Sequence, residues 1–136
     1  GCRDALKQAG IEPQIIEQQT DTDELTGLRK QLAEHPEATA VMASNDDLAQ
    51  KILKAAALNG LRLPEDLSVT GFDDYPMSRF LNPSLTTVRH PAREAGNLAV
   101  RALAEYLQSN GKTALPRLVL PTELTVRESS GPAEKT

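Results

Sequence analysis

The chain has 136 residues, 39% hydrophobic and 25% charged, a length and composition that suit one globular domain with a single modest core. A net charge of −4 argues against this segment itself gripping DNA or RNA, because neutralising phosphates needs a basic surface. The lone cysteine, Cys2, excludes an internal disulfide framework and a cysteine-based zinc site, and no apolar run approaches the roughly 18 residues that span a membrane.

Residues 1–9 predict a helix with Ala5, Leu6 and Ala9 on its apolar edge, closed by Gly10. Residues 13–19 hold a short strand around Ile15 and Ile16. Asp21 or Thr22 caps a second helix, with Leu25, Leu28 and Leu32 at helical spacing, and His35-Pro36 ends it. Residues 38–43 read as a buried strand.

At Asn45 that strand hands over to a helix carrying Leu48, Ala49, Ile52, Leu53 and Ala56 on one face, which stops at Asn59-Gly60. Residues 67–72 form a short apolar strand ending in Asp73-Asp74. A loop with Pro76 and Pro83 leads to an extended segment at 85–89. Residues 92–107 form the clearest amphipathic helix, with Leu98, Ala102, Leu103, Tyr106 and Leu107 on its stripe. Extended segments at 118–120 and 122–126 flank Pro121, and residues 129–136 read as a free polar tail. Strands and helices alternating through short links predict a doubly wound, mainly parallel α/β sheet flanked by helices. The first helix has no strand before it, so the sheet reads as incomplete.

Two strand ends concentrate polar chemistry, Ser44-Asn45-Asp46-Asp47 and Asp73-Asp74. In open parallel sheets the carboxyl ends of the strands face the ligand crevice. A carboxylate accepts from adjacent hydroxyls, while an amide both donates and accepts, so Asn45 with Asp73 suits a polyhydroxylated ligand. Each also has a local reading: Asn45 as a helix N-cap, Asp73 and Asp74 as a solvated turn. Arg89 reads as a solvated surface cation, as the partner of an acid or as the mark of a hinge. His35 reads as a helix-end cation, whereas His90 stands at the exit of the 85–89 segment.

An aspartate-dependent phosphoryl-transfer enzyme is the enzymatic alternative, drawing on the acid pairs with Ser44, Thr86 and Lys51 or Lys54. The spacing fits poorly and no phosphate-cradling glycine loop is present. Neither histidine is paired with a candidate nucleophile. The chain therefore reads as a non-enzyme with no catalytic residue, cofactor or metal.

Taken in order, several stretches resemble the LacI/GalR family of bacterial transcription regulators. They are residues 1–11, Thr39-Ala40-Val41 leading to Asn45-Asp46-Asp47-Leu48-Ala49, residues 60–74 through Gly71-Phe72-Asp73-Asp74, residues 83–89, the helix with Gly96, and residues 120–129. The resemblance covers nearly the whole chain. It implies a periplasmic-binding-protein-like fold whose two subdomains close on a small effector, usually a sugar, with Asn45 and Asp73 contacting it. His90 stands where many members have glutamine, which makes it a third effector-binding candidate.

Further expectations follow from the resemblance. Residues 1–128 are the C-terminal part of the sensor, with 85–108 crossing into an N-terminal subdomain. Operator DNA is bound only through a helix-turn-helix domain that these residues lack. The protein is a cytoplasmic homodimer, joined through the helix after Asn45 and the loop at Phe80-Leu81. Residues 19–23 lack the aromatic that family members often stack on a sugar ring. A sugar-binding protein of a transport system shares the fold and is the runner-up.

Overall fold

A four-stranded sheet in the order β1-β2-β3-β4 organises the molecule, with β1 (Ala40–Met42), β2 (Ser68–Asp73) and β3 (Thr86–Arg89) parallel and β4 (Glu123–Thr125) antiparallel to β3. The computed structural model describes residues 1–15 and 23–132. The helices are α1 (Cys2–Gln8), α2 (Glu24–Glu34), α3 (Asp46–Leu58) and α4 (Ala92–Gln108), of which α3 packs on β2 and α2 packs on α3. The predicted mainly parallel α/β class is what is observed.

Each parallel crossover has its cause in local sequence. Helix α3 begins where Asn45, in extended backbone, accepts the Leu48 N–H on its side-chain oxygen at 2.8 Å. It ends where Gly60 takes a positive φ of 78°, a conformation that costs glycine nothing. Between these ends Ala49, Ile52, Leu53, Ala55 and Ala56 are buried. With Leu28 of α2 and Leu67, Val69 and Leu85 of the sheet they make the core. The small alanines let α3 lie close to β2. Leu48, expected on the buried face, is only half-buried.

Three further expectations about the elements are corrected. Helix α2 starts at Glu24 with Asp23 as its cap residue, not Asp21 or Thr22, and Asp23 accepts the Thr26 hydroxyl at 2.7 Å rather than a backbone N–H. Among the described residues β1 pairs with β2 alone, and Met42 stands exposed where a buried strand was expected. Only residues 123–125 of the two final extended segments join the sheet.

The polar tail is not free at its start. Ser129 is fully buried, donating its hydroxyl to the Val69 carbonyl at 2.6 Å and accepting the Thr86 N–H at 2.8 Å. Its backbone bridges Val69 and Ser84. A buried hydroxyl tolerates that place because donor and acceptor are both satisfied. Residues 16–22, which include Ile16 and most of the 19–23 segment, and residues 133–136 lie outside the described residues.

Helix α4 has no buried residue, and Val100, Leu103 and Leu107 are exposed, as are Leu124 and Val126. No helix among the described residues is long and apolar enough to cross a membrane. Cys2 is exposed.

Candidate functional site

The carboxyl ends of β1, β2 and β3 lie side by side because the strands are parallel neighbours, and they carry Asn45, Asp73 and His90. Of the three, the structure brings Asp73 and His90 into contact. His90 Nε2 stands 3.0 Å from Asp73 Oδ1. An ionised carboxylate only accepts, so the contact places a proton on Nε2 and turns Nδ1 elsewhere. The side chains are 19% and 33% exposed, leaving both within reach of a solute.

The Phe72 ring lies against the His90 ring, centroids 5.5 Å apart and planes 15° from parallel. This stacked pair presents a flat apolar surface next to the carboxylate. Tyr75 completes the cluster: its hydroxyl hydrogen-bonds to Asp73. That bond and then the Asp73 charge hold the phenol above its usual pKa, with smaller contributions from burial and from Asp46 and Asp47. Tyr75 was not singled out by sequence reading. Its position two residues beyond Asp73, past a bend, was the available signal. Beside His90 lies a shallow concavity lined by Pro91, Arg93, Glu94 and Asn97.

Asn45 serves as the N-cap of α3, its oxygen engaged by Leu48. Its side-chain amide N–H groups are not used by the cap. The pairing of β1 with β2 that would set Asn45 beside Asp73 is present.

Asp73 and Asp74 differ sharply. Asp74 has a side chain only 6% exposed, gripped by Arg127 Nη2 on Oδ1 at 2.5 Å and by Arg89 Nε on Oδ2 at 2.6 Å. Burial pushes its carboxyl up, but the Arg127 and then Arg89 hydrogen bonds and charges outweigh this and hold it below the ordinary value. Arg89 is thus the partner of an acid, not a free surface cation. Both aspartates have positive φ, 118° at Asp73 and 54° at Asp74, which non-glycine residues rarely adopt.

Beneath the site sits one carboxylate of the Asp46-Asp47 pair, whose burial and partners the sequence did not reveal. Asp46, buried in the first turn of α3, accepts Thr87 Oγ1 at 2.5 Å, Ser78 Oγ at 2.5 Å and the Tyr75 N–H at 2.9 Å. These donors and the positive end of the helix dipole compensate the buried charge. Gly71 lies directly opposite, where a Cβ would collide with Asp46 Oδ1.

Other sequence candidates sit apart from this cluster. Lys51 is held by Glu24 at 2.8 Å and Asp47 at 2.7 Å. His35 stands 3.3 Å from Glu37 at the end of α2. Among the described residues no cluster of three or more His, Cys, Asp or Glu side chains is placed to hold a metal ion.

The family described as the periplasmic binding protein-like domain matches residues 1–130. The ribose operon repressor of Halalkalibacterium halodurans is 31% identical over all of this chain and 41% of its own length. Among solved structures, the transcriptional regulator CelR in its cellobiose complex superposes with a TM-score of 0.82 at 32% identity, covering 94% of this chain and 40% of that one. A LacI family transcriptional regulator from Arthrobacter sp. FB24, in complex with lactose, gives 0.78 at 31% identity, covering 94% and 49%. The chain therefore spans about two fifths to one half of the relatives it matches.

Proposed function

The chain belongs to the periplasmic binding protein-like domain family, as an effector-binding region of the LacI/GalR regulator type, and on that premise we propose that it senses a sugar or related polyhydroxylated metabolite through Asp73, His90 and Asn45. The observation that carries this reading is the Asp73–His90 contact at adjacent parallel strand ends, backed by the Phe72 ring. A carboxylate offers about four acceptor sites, so Asp73 can accept from a ligand hydroxyl beside His90 and Tyr75, and the stacked rings suit the apolar face of a ring-shaped ligand. The carboxylate disfavours acidic ligands.

These groups line one side only. The opposite wall comes from a second subdomain, into which the chain crosses beyond β3 rather than from residue 85, since Leu85 is core and residues 86–89 pair with β2 here. That subdomain covers the exposed stripe of α4. Effector binding then biases an open–closed equilibrium by its differential affinity for the two states, and a dimer passes the change to a DNA-binding head elsewhere in a cytoplasmic protein. The dimer contact runs through α3 and the loop at Phe80-Leu81. Phe80 is exposed, with the Arg79 guanidinium 4.7 Å over its ring. Calorimetric titration of the full-length protein with a panel of pentoses, hexoses and disaccharides tests the reading. Saturable binding of a neutral sugar supports it, and no binding across the panel removes it.

A further inference from the structure

We infer that Asp74 is a positioning residue for the Asp73–His90 pair: it touches no ligand itself and fixes where both side chains stand. Its carboxylate is too enclosed to receive a solute, and each of its oxygens is already bound to an arginine. Those two arginines are the reason it acts on the pair.

Arg89 is the register partner of Asp73 across β2 and β3, and His90 is the next residue. The Asp74–Arg89 bond therefore ties the end of β2 to the end of β3 immediately beside the Asp73–His90 contact. Arg127 anchors the other oxygen to the interior, since its Nη1 also donates to the Leu85 carbonyl at 2.7 Å. The remaining charge facing Arg89 is Glu123 on β4, more distant at 3.7 Å. Two consecutive positive-φ residues need surroundings that over-determine them, and the double arginine grip supplies that constraint on the segment bearing Asp73. Loosening the grip frees the backbone that aims Asp73 and the strand end that carries His90. A site held in its binding geometry beforehand loses less on binding, so affinity depends on the clamp.

The affinity arm of this inference rests on the effector reading above; the spectroscopic arm does not. The experiment uses full-length protein carrying ¹⁵N-histidine, with the His90 ring signals assigned by their loss in His90→Gln. Asp74→Asn and Arg89→Gln are compared with the parent. Arg89 is 55% exposed, so its variant keeps the fold and decides the matter should Asp74→Asn fail to fold. In each folded variant the His90 Nε2 signal is expected to move toward that of a free imidazole. Affinity for the sugar bound by the parent, with lactose among the probes, is expected to fall about tenfold. An unchanged His90 signal in Arg89→Gln overturns the inference. A parent that binds no sugar overturns the effector reading and leaves the His90 signal to decide the clamp.

Discussion

Thr87 on β3 donates its hydroxyl to Asp46 on α3 at 2.5 Å, joining helix and sheet through a buried bond directly beneath the strand ends. Ser78 and the Tyr75 N–H converge on the same carboxylate. The loop that follows Asp73-Asp74 is therefore tethered to the first turn of α3. Asp46→Ala leaves these donors without their acceptor, and each unsatisfied buried group costs on the order of 1–3 kcal/mol. Chemical denaturation should show a loss of about 2 kcal/mol or more. A loss near zero would show that the network relaxes onto water.

Gly71 faces that carboxylate with no room for a methyl group. Leu85 Cδ2 at 3.1 Å and Ala49 Cβ at 3.3 Å close the remaining space. Gly71→Ala should destabilise by about 1–3 kcal/mol, the usual cost of overpacking a core. Its φ is negative, so backbone strain is not the cause, and relief by Asp46→Asn would not be expected. A thermal melt of the single and double variants checks both statements.

Acid should weaken the fold through its depressed carboxylates. Arg62 hydrogen bonds lower Asp66 to about 2, hydrogen bonds from Ser84 lower Glu128, and the arginine clamp lowers Asp74. A group whose folded pKa is depressed contributes stability above its unfolded pKa, near 4, and loses it as pH falls through the folded value. Stability should therefore decline from about pH 4 toward about pH 2. Asp74→Asn should flatten part of that slope. An identical slope in the variant would show that Asp74 does not titrate differently in the two states.

The two roles open to Asn45 separate in Asn45→Asp. Aspartate caps a helix about as well as asparagine, so α3 and the melting temperature should hold, whereas Asn45→Ala should cost about 1 kcal/mol. Asp lacks the amide N–H groups, so sugar affinity should fall if they bind ligand. Unchanged affinity with unchanged stability would leave Asn45 a cap alone.

The elements with local causes were legible in the chain. Asn45, the apolar spacing of α3, Gly60 and the apolar run into Asp73 place a strand–helix–strand unit without any three-dimensional information. Asp73 was legible as the better ligand candidate of the two acids, but the arginine grip on Asp74 was not, because Arg127 lies 53 residues away and nothing in its neighbourhood marks it as a partner. The partners of Asp46 were equally hidden, its hydroxyl donors lying 32 and 41 residues downstream. Ser129 reads as part of a polar tail because a serine's burial depends on distant Val69 and Thr86, not on its own hydrophobicity. Helix α4 shows the opposite case: its pattern calls for a partner that the described residues do not provide.

The central claim is that ligand meets this chain at the Asp73–His90 junction. The most direct measurement is calorimetric titration of the full-length protein, its Asp73→Ala variant and its His90→Ala variant with the sugar that the parent binds best. The account predicts that Asp73→Ala abolishes measurable binding and His90→Ala weakens it about tenfold or more, consistent with loss of a charged and a polar hydrogen bond respectively. Affinities equal to that of the parent in both folded variants would contradict it.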